Sequence, residues 1–482
     1  MVDKIKNYEV LQRVKKLTLI ETKSFYVCLF LIGLIILFFR SAYIFMTPYM
    51  YTEDGMWISS IYKFGFLHTL FHAKAQYFVF GNIILLQISN LLNTFLFGDN
   101  LTLLPIMIAI VSYVFYSFSA LLPIICFKKI LNFSSRFIIW VLILLMPLGD
   151  TASEIFGKIS NIGYMFYFIA FCLLVLRQVN SNSSSKYFFV ILDLFIIICP
   201  LTNPACYPLV LSGFLFSCFV EIKNRNKFSN ENLLKVIFSK FYMKIWICTL
   251  IILCIFLLVN IKLGFFPNNG GVPYSAIPWN NKEKMIEFFV RSELYPFIFS
   301  IYQNLNFTIS SILLIIVNTI IILSIIFIKN IKYKSFIISS YFSCIILIFF
   351  TLFSRSGLVD MLSNYTTTFP DRYYYCQNIL GLVSITSAIT CILYSKKSVF
   401  KKTINYFFIF GLIMLNISNR NHIFEFYDSR YITASTTFKN RIENAYQYGE
   451  CNNGYYTVQI EFQGWTMNIP ENKIIETVNQ KK

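Results

Sequence analysis

Residues 307–328 read FTISSILLIIVNTIIILSIIFI, a run of 22 residues without one charged side chain. An α-helix needs about 20 apolar residues to cross the hydrocarbon of a bilayer. The whole chain shares this character, because 57% of its 482 residues are hydrophobic, 13% are charged and the mean hydropathy is +0.63. A water-soluble domain cannot hide so much apolar surface. The sequence therefore predicts an all-α polytopic membrane protein.

Runs of this kind predict about 11 transmembrane helices. The three weakest are 137–148 and the two runs that flank residues 200–204, for which a re-entrant hairpin is the alternative. The 11 runs are 25–39, 101–127, 137–148, 162–176, 187–199, 205–220, 245–263, 307–328, 335–353, 379–394 and 404–417.

The distribution of charge predicts the orientation. Lys and Arg in short loops mark the cytoplasmic side of a membrane. With the N-terminus inside, the inner segments hold 24 basic and five acidic residues, a net +19, while the outer segments hold 17 of each. Asp193, inside a span, supplies the remaining −1 of the formal +18. The basic excess thus reflects membrane insertion and gives no support for a nucleic-acid partner.

The predicted organisation has three parts. Residues 1–24 form a basic cytoplasmic head, 25–418 a transmembrane domain, and 419–482 an outer C-terminal segment. Long outer loops cover 46–100, 264–306 and 354–377, and the second of these is predicted to form a lid or wall of an outward cavity. No inner loop is large enough for a nucleotide-binding domain, and no Gly-rich phosphate loop is present. In the outer segment, alternating residues 457–463 after Asn452-Asn453-Gly454 predict a strand after a turn.

The first outer loop carries two adjacent carboxylates, Glu53 and Asp54, directly after the first span. One of them suits a general base that deprotonates an acceptor hydroxyl; the other would orient it or bind a divalent cation. The alternative is that Asp54 caps a helix that begins at Gly55. Residues 56–72 and 77–97 predict two interfacial helices, the second with a short span as its alternative.

Further polar residues lie in the outer loops. His68 and His72, four residues apart, have a spacing that can chelate a metal, but contact with the interface or the acceptor fits better because no acidic residue follows nearby. Asp150, Glu154 and Asn161 stand near the outer ends of spans as substrate ligands or as helix caps. Arg355, Asp371 and Arg372 suit a phosphate, since guanidinium groups bind anionic oxygens bidentately. A belt of aromatic residues and snorkelling cations is the alternative.

This pattern resembles the GT-C class of integral-membrane glycosyltransferases, and in length and topology the bacterial serotype-converting O-antigen glucosyltransferases. The resemblance rests on Glu53-Asp54-Gly55 and, more loosely, on residues 154–161 and Asp371-Arg372-Tyr373. It implies a protein of the bacterial inner membrane, with its C-terminus in the periplasm.

The resemblance also implies inverting transfer of a hexose, such as glucose, from a polyprenyl-phosphate-linked donor to a lipid-linked surface glycan such as O-antigen. Asp54 or Glu53 would be the base. Arg372 and Arg355 would bind the donor phosphate, and Asp150, Glu154, Asn161, His68, His72 and Asp371 would contact substrates. The scheme requires no cofactor or metal, although a divalent cation remains possible. A polysaccharide polymerase, ligase or accessory protein is the alternative, followed by a transporter, for which Asp193 is the one clear ionisable residue in mid-span.

Overall fold

The computed structural model describes three stretches of the chain. These are residues 21–215 except 47, 75–76, 149–153, 180–185, 210 and 214, residues 277–394 except 363–364 and 367–370, and residues 438–480 except 461–463. Five single helical positions, 247, 251, 254, 255 and 258, are described as well. Most of the basic head, the rest of the predicted span 245–263 and the span 404–417 lie outside the described residues.

The described residues are mostly α-helical. The helices are α1 (Lys23–Arg40), α2 (Tyr43–Met46), α3 (Thr52–Phe64), α4 (Phe66–His72), α5 (Phe80–Phe97), α6 (Leu104–Cys126), α7 (Phe133–Leu144), α8 (Phe166–Val179), α9 (Lys186–Thr202), α10 (Lys282–Glu293), α11 (Tyr295–Ile298), α12 (Phe307–Phe327), α13 (Ile331–Ser354), α14 (Gly357–Asp360), α15 (Tyr375–Tyr394), α16 (Phe438–Tyr448) and α17 (Glu471–Asn479). Short 3-10 turns cover Leu101–Leu103, Ser160–Met165, Pro204–Cys206, Phe299–Asn304 and Asp371–Tyr373.

Six helical segments of the described chain are long and apolar enough to cross a membrane. They make this a multi-pass membrane protein, as the sequence predicts. The six are Lys23–Arg40, Phe80–Phe97, Leu101–Cys126, Ser160–Val179, Phe307–Phe327 and Ile331–Ser354; Phe133–Leu144 and Tyr187–Thr202 are shorter apolar helices. The described residues thus contain six full-length candidate spans. The 11 predicted for the whole chain are not confirmed, because part of the chain lies outside the described residues.

Close contacts hold α1 against α6 and against the end of α7. Arg40, the last residue of α1, is buried and donates to the carbonyl oxygens of Leu144 (2.5 Å) and Met146 (2.8 Å), which are left free where α7 ends. Halfway along α1, Gly33 lets α6 approach so closely that a Cβ atom there would lie 2.5 Å from the Ser117 Oγ. The first outer loop therefore starts from a fixed point.

Helix α5 has the length of a span, but both of its ends contact outer elements. At its start, the Gly81 N–H donates to the Thr202 Oγ1 (2.8 Å) at the outer end of α9. Just beyond its end, the Gly98 carbonyl oxygen accepts from Gln480 (2.6 Å) in the C-terminal segment. Its apolar side is exposed, with Phe95 84% accessible. The helix is one of the six candidate spans, and its interfacial position stays a prediction.

The C-terminal segment is a small mixed unit, as predicted. Strands β1 (Cys451–Asn452), β2 (Tyr455–Gln459) and β3 (Thr466–Pro470) form one antiparallel sheet in the order β1-β2-β3. The predicted turn joins β1 to β2, and both of its central residues, Asn453 and Gly454, have positive φ angles (52° and 79°); such angles match the twist of a two-residue hairpin. The sheet packs on α3, where the Asn468 N–H donates to the Ser59 Oγ (3.0 Å).

The helix of the second long outer loop, α10, packs among α12, α13 and α15. That the loop forms a lid or a wall of an outward cavity stays a prediction. Gly381 of α15 makes room for α10: a Cβ atom at that position would lie 2.6 Å from the carbonyl oxygen of Glu293. The run of charged residues in α10 is typical of a solvated loop, and only the tertiary contacts show where it lies.

Candidate active site in the first outer loop

Asp54 lies in the first turn of α3 and does not cap it. The helix begins at Thr52, two residues before Asp54, and its N-cap residue is Tyr51. The side chain of Asp54 is 1% exposed and reaches the loop before α8. Its two oxygens accept from the backbone N–H groups of Ser160 (2.6 Å) and Ile159 (3.2 Å). The capping alternative is therefore wrong, and the carboxylate is held in one orientation.

The protonation of Asp54 is finely balanced. Burial raises the pKa of this carboxyl to about 7, and the nearby charge of Glu53 raises it as well. The Lys158 ammonium and the two backbone N–H groups act in the opposite direction and lower the pKa. A group with a pKa near the ambient pH can accept a proton and release it again. Asp54 thus has the placement and the acidity of a general base.

Lys158 is the buried cation beside Asp54. It is 2% exposed, and its Nζ lies 3.4 Å from the ring centroid of Tyr49 and 5.3 Å from that of Tyr51. The turn before it requires glycine, because Gly157 has φ +75° and a Cβ atom there would meet Ile44 at 2.2 Å. This tight turn directs the lysine into the site.

A second cation enters from far along the chain. Arg372, in the 3-10 turn before α15, forms an ion pair with Glu154 (Nη1 to Oε2, 2.5 Å) and donates to the Tyr51 hydroxyl (3.3 Å). Asn161 donates from Nδ2 to the Glu154 carbonyl oxygen (2.6 Å) and hydrogen-bonds Tyr51. The predicted residues Glu154, Asn161 and Arg372 therefore form one group, one helical turn from Asp54.

Arg355 joins this group through Tyr373. The guanidinium carbons of Arg372 and Arg355 lie 5.1 Å and 5.9 Å from the Tyr373 ring centroid. Although burial opposes it, the two cations hold the pKa of the Tyr373 phenol below its ordinary value. Tyr164 packs edge-on against Tyr373, with ring centroids 5.3 Å apart. Two aromatic rings and two guanidinium groups thus border the site.

Glu53 lies on the open side of the site. Its carboxylate pairs with Lys74 (3.5 Å), and both side chains are 32% exposed. Lys74 also interacts electrostatically with Tyr373, which links this pair to the arginines. Because Glu53 is only half-buried while Asp54 is fully buried with a raised pKa, Asp54 is the better candidate for a base.

The site has more cations than carboxylates. Lys74, Lys158, Arg355 and Arg372 face Glu53, Asp54 and Glu154, and protonation of Asp54 raises the excess. Such a surplus, with all four cations near aromatic rings, suits an anionic ligand of low hydration such as a phosphate ester. Within the described residues, no three His, Cys, Asp or Glu side chains come together as a metal-binding group.

Comparison with protein-family models, curated proteins and solved structures finds no match to this chain. The resemblance to the GT-C class stays a prediction, and the argument for function rests on the geometry of this site.

Four predicted site residues are not part of the described cluster. His68 and His72 stack on each other, with ring centroids 4.3 Å apart, on the exposed side of α4. Asp371 is 1% exposed and pairs with Arg291 of α10, so it anchors the turn that carries Arg372. Asp150 lies outside the described residues.

Sequence reasoning missed Lys158 and Lys74. Neither has a motif, and Lys158 was one cation among the outer loops. A signal was present in the glycine before Lys158, since Gly-Lys after a helix end is typical of a tight turn that can aim a side chain inward. Lys74 carried no comparable signal.

Proposed function

We propose that this protein is a glycosyltransferase of the bacterial inner membrane, which moves a hexose from a polyprenyl-phosphate-linked donor to a lipid-linked surface glycan on the periplasmic side. The observation that carries the proposal is the buried carboxylate of Asp54, with a pKa of about 7, beside a cation-rich group at the ends of apolar helices. A base and an anion site at one membrane surface are what a lipid-phosphate donor requires.

The proposed reaction divides the site into two parts. The Asp54 carboxylate takes the proton of an acceptor hydroxyl, whose oxygen forms a bond to C1 of the donor sugar. The bond between C1 and the phosphate oxygen breaks, and the charge stays on the polyprenyl phosphate. Arg372 and Arg355 stabilise that charge by hydrogen bonds to the phosphate oxygens. The hydrophobic chain of the leaving group remains in the bilayer, and no nucleotide is needed.

The other residues of the site position these groups. Tyr51 hydrogen-bonds Arg372 and Asn161, so it links α3, which carries Asp54, to the arginine proposed to bind the phosphate. The Tyr164 and Tyr373 rings offer a surface for the sugar. Glucose as the hexose and O-antigen as the acceptor follow from the family resemblance and not from these residues.

Mass spectrometry of the lipid-linked glycan, from cells with and without this protein, tests the proposal. We expect a difference of one hexose per repeat. Asp54→Asn should abolish the added hexose while the protein is still inserted at normal levels, because Asn cannot accept the proton. The matched control is Asp360→Asn, the same change at an exposed position, which should leave the glycan unchanged. Full hexose addition by a double variant Asp54→Asn/Glu53→Gln would refute the proposed mechanism.

A further inference from the structure

A second carboxylate is buried in the helix bundle, away from the candidate active site. Glu293, the last residue of α10, is 2% exposed. Its Oε2 accepts a long hydrogen bond from Asn318 Nδ2 (3.4 Å), and its Oε1 has no hydrogen-bond partner among the described residues. No described cation forms an ion pair with it.

Its neighbours place Glu293 near the middle of the bundle. Asn318 is the twelfth of 21 residues of α12, an uninterrupted apolar helix. Tyr341, whose hydroxyl donates to the Oδ1 of the Asn318 amide, is the eleventh of 24 residues of α13. Both helices are candidate spans, so the carboxyl group lies close to mid-membrane depth.

An ionised carboxylate at this position would be costly. Burying an isolated charge away from water and away from a counter-ion costs far more than burying a neutral acid. Asp193 provides a contrast within the described residues: it also lies within an apolar helix but pairs with Arg177 at 2.9 Å. Asn318 cannot take the place of Arg177, because an amide carries no charge.

We propose that Glu293 is a proton-binding site inside the bundle, and that its proton allows α10 to lie among α12, α13 and α15. The neutral acid accepts the Asn318 hydrogen bond at one oxygen and carries the proton at the other. Deprotonation would leave a bare charge against the apolar sides of three helices. Ionisable groups at such a depth in membrane proteins are rare and are associated with proton or ion binding.

Infrared spectroscopy of the full-length protein at about pH 6 tests this assignment. A protonated carboxylic acid has a carbonyl band that ionised carboxylates lack. The Asp54 carboxyl, with a pKa of about 7, is also largely protonated at this pH, so the comparison is made in the Asp54→Asn protein. We expect this protein to show the band, the added change Glu293→Gln to remove it, and the matched control Asp193→Asn to keep it. A spectrum in which Glu293→Gln removes only carboxylate bands would overturn the proposal, since it would show an ionised Glu293 paired with a metal cation such as sodium.

Chemical labelling gives a second test that requires no variant to fold. Dicyclohexylcarbodiimide reacts with protonated carboxyl groups in apolar surroundings: the acid proton moves to a carbodiimide nitrogen, the carboxyl oxygen adds to the central carbon, and an acyl shift leaves a stable N-acylurea. We expect the adduct on the peptide with Glu293 and not on the peptide with Asp193. Absence of both the infrared band in the Asp54→Asn protein and the adduct in the wild-type protein would overturn the proposal. Neither readout depends on sugar transfer.

Discussion

At the scale of single residues, Asp54 links activity and stability to pH in opposite directions. Its pKa is raised from 3.8 to about 7 in the folded protein, chiefly by burial. A base must be ionised, so the transfer rate should rise with pH and level off above about 7. The folded protein holds this proton more tightly than the unfolded chain does, so the associated stability is present below about pH 4 and is lost by about pH 7.

The measurements are the transfer rate and the melting temperature of the purified protein over this range of pH. Asp54→Asn should weaken the pH dependence of the melting temperature in this window, since Asn does not titrate, and the buried Glu293 should account for part of what is left. A transfer rate that falls as the pH rises toward 7 would contradict the assignment of Asp54 as the base.

Lys158 gives a second prediction at this scale. Its charge lowers the pKa of Asp54, so Lys158→Met should move the midpoint of the pH–rate profile to higher pH. A residue that only fills space would lower the rate at every pH and leave the midpoint in place. Lys63→Met is the matched control, because Lys63 is an exposed lysine on α3, the helix that carries Asp54. Its loss should leave the midpoint of the pH–rate profile unchanged.

At the scale of elements, the position of α10 against α15 depends on Gly381. A Cβ atom at Gly381 would lie 2.6 Å from the backbone oxygen of Glu293, which cannot rotate away. Gly381→Ala should therefore displace α10 and destabilise the protein by about 1–3 kcal/mol. Thermal unfolding in detergent measures the loss. Gly213→Ala is the control, since its nearest neighbours would lie 3.8 Å away, and an equal loss in both variants would contradict the proposed contact.

The elements also show what a sequence can and cannot reveal. Apolar runs predicted the helices around 307–328 and 335–353, and Asn453-Gly454 predicted the hairpin, because these depend on local composition and turn geometry. The contact of Asp54 with Ser160 joins residues 106 positions apart, and no local pattern encodes it. Asp371 and Arg372 were grouped as neighbours, yet the 3-10 turn sends one to Arg291 and the other to Glu154.

At the scale of the whole molecule, the contacts of the C-terminal segment bear on topology. Its sheet packs on α3, so the segment and the candidate active site lie on one side of the bundle. The charge asymmetry predicts that this is the periplasmic side. The structure by itself fixes only that the two lie together.

Labelling of Cys451, which is exposed, tests the orientation. In a chain with its other cysteines replaced, a membrane-impermeant maleimide should label Cys451 in intact spheroplasts. A cysteine introduced by Lys329→Cys, in a predicted inner loop, should react only after permeabilisation. The reverse pattern would place Asp54 in the cytoplasm and remove the periplasmic assignment.

A contact between residues far apart along the chain delays the completion of this side of the fold during synthesis. The Leu101 N–H donates to the Thr477 Oγ1, 376 residues later (3.2 Å). At a synthesis rate of roughly 5–20 residues per second, the ribosome needs roughly 20–75 s to make the residues between them. During that time α3, which carries Asp54, is already made but lacks the sheet that packs on it. If the proposed function is right, a chain that stops before β3 should add no hexose, although Asp54, Lys158 and Arg372 are all present.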